Sequence, residues 1–192
     1  MTDLDLIVAL NNRNALIIHF SHYAKMREGG VFPKDLKDAI TNHEIWPLSC
    51  VVVWPGHEMD LPGSIGVIFK PNSVSNILSV LNDDSGSYYD VEKENDCSVG
   101  VILCEDSFEQ TFQVNIGQYN EWRVQNADVF GIFVNNPSKN YAKKKLTINE
   151  DKISFEDIGL TTIFINEVFE SFPGLLVYTM GSNGVEEVKK PI

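Results

Sequence analysis

Positive charge is scarce in this chain. Of 192 residues, 15 are Lys or Arg and 27 are Asp or Glu, a formal net charge of −12 at pH 7. A field of that sign repels phosphate backbones and anionic lipid surfaces at long range, which argues against a nucleic-acid groove binder and against a protein of membrane surfaces. Long apolar runs are missing as well. None approaches the roughly 18 residues of a membrane-spanning helix. The opening MTDLDLIVALNNRN carries two Asp where a secretion signal carries bases. Cysteine is limited to Cys50, Cys97 and Cys104, an odd count without the C-x2-C spacing of a zinc ribbon. Cys50 in LSCVVVW and Cys104 at the end of VGVILC read as small buried hydrophobes. A reduced, cytoplasmic setting is the expectation.

Several catalytic signatures are also absent. There is no G-x-x-x-x-G-K-[ST] phosphate loop, no G-x-G-x-x-G after a strand, no H-E-x-x-H and no G-x-S-x-G. What the chain does have is short runs rich in β-branched residues. Residues 15–20, 49–54, 65–69, 77–81, 99–103, 129–134 and 175–178 read as strands. Helices are fewer. Residues 2–11 follow Thr2 as a cap, and Pro33 opens a helix that places Leu36, Ala39 and Ile40 on one face. Residues 107–112 form a short helix capped by Ser107, and residues 161–172 a last one stopped by Pro173-Gly174. The stretches 82–96 and 135–145 read as loops. The pattern predicts one α+β domain over residues 1–192, with mixed or mainly antiparallel sheets and a few peripheral helices.

Four segments carry candidate chemistry. In ALIIHFSHYAKMR, strand alternation puts His19 and Ser21 on one face. The imidazole is suited to a ribose hydroxyl, or to a backbone carbonyl in a purely structural role. In SCVVVWPGHEMDLPGS, two Pro-Gly pairs bracket a loop with His57, Glu58 and Asp60 beside Trp54. That loop is either the wall of a site or a connection whose tryptophan plugs the core. In NDDSGSYYD, Asp83, Asp84 and Asp90 form a polar turn without EF-hand spacing. In GQYNEWRVQNADVFGIFV, Glu121 stands at the mouth of a strand pair, where a general base or ribose-orienting carboxylate would be fixed in place. An edge-strand glutamate facing water is the alternative.

The pairing of IIHFSH at Ile17–His22 with NEWRV at Asn120–Val124 resembles the ADP-ribosyltransferase superfamily, in particular its DarT-like and RES-like branches. The resemblance covers two short motifs. It implies NAD as substrate, with His19 at the adenosine ribose, Ser21 beside it, and Glu121 as the catalytic carboxylate acting on the nicotinamide ribose. The acceptor would be an unidentified molecule, a protein favoured over nucleic acid by the acidic surface. The family's middle-strand residue has no clear counterpart: Ser49, Ser64, Tyr88 and Tyr89 are all available. The rival expectation is a non-catalytic acidic binder, such as an immunity protein or an inhibitor of a basic toxin or nuclease, whose charge would speed association with a basic protein. A third is a hydrolase using His57 with Asp60 or Glu58, for which no nucleophile can be assigned.

Overall fold

A computed structural model describes residues 1–21, 32–57, 65–82, 89–90, 95–96, 100–113, 120–135, 143–149, 152–158 and 162–190. Six of the seven β-branched runs form strands, and these together with Glu121–Val124 and a short C-terminal strand make an eight-stranded sheet. In chain order these are β1 (Leu16–Phe20), β2 (Leu48–Val53), β3 (Ile65–Lys70), β4 (Ile77–Leu81), β7 (Glu121–Val124), β8 (Asp128–Val134), β11 (Val177–Gly181) and β12 (Gly184–Glu187). Their order across the sheet is β12-β11-β8-β3-β1-β2-β7-β4. Only β11 and β8 run parallel; the other neighbours are antiparallel. Among the described residues four α-helices complete the α+β fold: α1 (Asp3–Asn12), α2 (Phe32–Asn42), α3 (Glu105–Thr111) and α4 (Thr162–Ser171).

Period-2 alternation sorts the strand side chains onto two faces. Ile17, Cys50, Val52, Val67, Phe69, Trp122, Val124, Ile132 and Val134 meet residues from all four helices, among them Leu6, Leu36, Phe108 and Val168. The intervening residues Leu16, Ile18, Phe20, Val51, Val53, Ile68 and Phe133 form a second buried cluster on the other face. Trp122 is the largest side chain sealed in the helix-side core, and its indole N–H donates to Thr111 Oγ1 at 3.1 Å. Gly66 is obligatory where β3 passes β1. A Cβ there would lie 2.5 Å from an Ile18 methyl and 2.6 Å from the His19 carbonyl.

Two side chains act as fixtures for the backbone. Asn120, fully buried, accepts from Val52 N–H at 2.7 Å and donates to Val52 C=O at 3.0 Å. Its carboxamide thus stands in for a peptide group and carries the β2–β7 contact two residues past the last registered pair, Cys50–Trp122. His43, after the last turn of α2, places its ring nitrogens 2.6 Å from Ile40 O and 2.8 Å from Ala127 O, fastening the helix end to the β7–β8 turn. That turn needs a left-handed residue and has Asn126 at φ 56.

Local expectations hold in α1, where Thr2 and Asp5 form a reciprocal capping box. They shift elsewhere. The third helix begins at Glu105 with Cys104 as its N-cap, not at Ser107, because Glu105 and Asp106 favour the positive end of the helix dipole. Ser107 is its third residue, where the hydroxyl accepts from Cys104 N–H at 2.9 Å. Residues 100–103 form no strand of their own; Val101 makes a single bridge to Val80. Lys143–Lys145 is not loop but the start of β9 (Lys143–Asn149), which pairs with β10 (Lys152–Ile158) as a separate hairpin. Its register sets Lys144 opposite Asp157 and Lys145 opposite Glu156. Within 82–96, β5 (Tyr89–Asp90) pairs with β6 (Asn95–Asp96). Among the described residues no helix is long and apolar enough to cross a membrane.

Candidate functional site

The three residues singled out by the sequence lie at the end of β1 and the start of β7, with β2 between the two strands, and not on one face. His19 continues the alternation of Ile17 and pairs with Val67, so it projects on the helix side of β1. Its Nδ1 is 2.8 Å from the carbonyl of Ser49. A carbonyl only accepts, so this contact needs the proton on Nδ1. The imidazole therefore serves as an edge fixture between β1 and β2. Ser21 follows on the same side and donates from Oγ to Asp35 Oδ2 at 2.9 Å, tying the end of β1 to the first turn of α2.

Glu121 opens β7 and is only 2% exposed. Its neighbour Trp122 sits opposite Cys50 on β2 and Val80 on β4, all three in the helix-side core. Glu121 must then emerge from the reverse face, opposite Leu81, together with Arg123. Arg123 Nη1 lies 3.7 Å from Glu121 Oε1, the spacing expected of residues two apart on one strand face. With β2 standing between β1 and β7, His19 and Ser21 project on the helix side of the sheet and Glu121 on the reverse.

The remaining candidates divide between structural roles and silence. Trp54 packs against the helix-side core, stacks on His57 with ring centroids 3.5 Å apart and meets the edge of Phe112 at 5.0 Å. Gly56 turns the chain between them at φ +80. Among the described residues neither nitrogen of His57 has a hydrogen-bond partner, and burial lowers the imidazole pKa from its ordinary value to about 4. Such a group is a neutral stacking surface rather than a proton carrier near neutrality. Glu58, Asp60, Ser64, Asp83, Asp84, Tyr88 and Cys97 lie outside the described residues. Tyr89 and Asp90 are described only as the backbone of β5. Ser49 contributes its carbonyl to His19 and pairs with Arg123 in register. Among the described residues no three His, Cys, Asp or Glu side chains gather as a metal ion would require.

Cys50 is buried as expected, and that burial, with nearby Glu121 adding, pushes its thiol up. Cys104 is exposed, contrary to expectation, and bonds from Ser107 hold its thiol below the usual value. Cys104 belongs to a surface that sequence reasoning missed. Ile102 is 81% exposed and Val101 54%, with half-exposed Leu78 on the neighbouring edge strand β4. Exposed Glu105 and Asp106 follow at once in α3. The hydrophobic run before these acids reads as a buried strand, and only its position at the sheet edge turns it outward. No protein-family model matches the chain, and no curated protein matches it.

Proposed function

We propose that the chain is a non-catalytic acidic module that docks on a basic protein partner. The observation that carries this reading is the exposed Val101–Ile102 pair at the edge of β4, immediately ahead of the exposed carboxylates Glu105 and Asp106. An apolar centre with a charged rim is the anatomy of a protein–protein contact. The net charge of −12 would steer a cationic partner toward it and speed encounter. The structural bonds already held by His19, Ser21 and Glu121 support the same reading, because each of these side chains has a role in the sheet without any substrate.

The transferase resemblance makes a different demand: NAD held by His19 and Ser21, with Glu121 at the nicotinamide ribose. Two measurements separate the readings. The immobilised chain should retain a basic protein from a soluble extract at low salt. Retention should fall at high salt and be lost in Glu105→Lys/Asp106→Lys and in Ile102→Asp. Calorimetry with NAD should show no binding heat. Nicotinamide release by the wild type, abolished in Glu121→Gln, would instead establish the transferase reading and sink this one.

A further inference from the structure

Where α1 turns into β1, a cavity of about 160 Å³ opens between that turn, the end of β3 and the strands beyond it. Its lining differs in character from the rest of the molecule. Leu10, Ala15, Ile17 and Phe69 make apolar walls, Phe130 stands at the rim, and among the described residues no Asp or Glu lines it. Asn11 and Asn14 contribute carboxamides. The single charge is Lys70, whose Nζ sits 5.4 Å over the Phe130 ring. Phe130 is itself fixed by stacking on Tyr178, centroids 5.0 Å apart. Asp128 stands opposite Lys70 in the strand register, yet its carboxylate accepts from Asn72 Nδ2, and Lys70 makes no ion pair among the described residues. In a protein this acidic, an ammonium that faces an aromatic ring and an acid-free hollow is an available counter-charge.

We propose that this cavity binds a small single-ring aromatic monocarboxylate. The volume is that of one ring, since an apolar cavity of about 150 Å³ takes up benzene. Apolar walls with a few polar groups that fix orientation are the usual composition of a small-molecule site. The ring enters between Leu10, Ala15 and Phe69, and the carboxylate stays at the mouth against Lys70. No bond is made or broken. The site is independent of the docking surface proposed above, which lies at the β4 edge of the sheet.

Benzoate is the probe, and benzyl alcohol, of the same size without charge, is the control. Titration followed by amide chemical shifts should saturate at Ala15, Phe130 and Val185, with benzoate at least about tenfold tighter than the alcohol. Lys70→Met, a surface change that keeps the fold, should abolish that preference and leave alcohol binding as it was. Ala15→Leu should weaken both ligands by filling the hollow. Equal affinity for the two ligands in the wild type overturns the proposal. So does an unchanged preference in Lys70→Met, or shift changes elsewhere than on these residues.

Discussion

The two faces of the eight-stranded sheet are built from the same strands and differ in what meets them. On one face, strand residues interlock with side chains from all four helices around Trp122. On the other, the buried cluster consists of strand residues alone among those described, and the face carries the buried Glu121 beside the half-exposed Arg123. A single step along a strand moves a residue from one environment to the other. His19 and Glu121 differ in parity relative to their registered neighbours, which puts them on opposite faces of the sheet. Resemblance to a motif records residue types in order; it does not record parity, which is set by pairings between distant strands.

The comparison can be broken most forcefully at the helix-side core. Trp122→Ala would remove the largest fully buried side chain and its bond to Thr111. The cost should be about 3–5 kcal/mol, read as a fall in the denaturant midpoint with unchanged slope. A loss under about 1 kcal/mol would mean that the helices do not seal this face as the structure has them. Asn120→Ala comes next. It keeps the strand but leaves both the N–H and the C=O of Val52 without their partner in a buried position. About 2–3 kcal/mol is expected, together with faster hydrogen exchange at the Val52 amide. Protection at Val52 equal to that of the wild type would show that the carboxamide is not what closes the strand.

Much of this architecture was readable from the sequence, and the limits have physical causes. VVVW, IGVIF and VFGIFV announce strands because a buried strand is a short run of β-branched and aromatic residues. The third helix was displaced by three residues because Ser107 is a good cap by type, while Glu105 and Asp106 supply the electrostatics that start the helix earlier. KKKLTIN and GVEE are not apolar enough to signal a strand; the first pairs with residues 152–158 in a hairpin, and the second lies at the sheet edge. Of the site, the residues were visible and their facing was not. The exposure of Ile102 was equally hidden, because the same VGVIL run would be core in a central strand. At the edge of the sheet it becomes surface.

His57 gives a subtler handle on the helix side. Its imidazole is stacked on Trp54 with neither nitrogen bonded among the described residues, and its folded pKa of about 4 lies below the ordinary 6.5. The unfolded chain therefore binds more protons between these values, so stability rises with pH across the window from 4 to 6.5 and is lost as pH falls through it. The ring is partly exposed, and solvent screening cuts the effect to an order of 1 kcal/mol. His57→Phe keeps the stack and should flatten the slope of stability against pH in that interval. An unaltered slope would place the acid sensitivity on other groups.

The smallest effect tests the reverse face, and it does so by asymmetry. Glu121 is buried and Arg123 is not, so the two halves of their ion pair should not cost the same to remove. Arg123→Met withdraws the guanidinium from a carboxylate that water cannot reach, which leaves a desolvated charge with less compensation. Glu121→Gln withdraws the buried charge instead, and the released guanidinium turns to solvent. The arginine variant should therefore be the less stable of the two, by about 1 kcal/mol, with Glu121→Gln near the wild type. A Glu121→Gln variant as destabilised as Arg123→Met would mean that the carboxylate holds the sheet together in its own right. The reverse face would then rest on a polar anchor, as the helix face rests on Trp122.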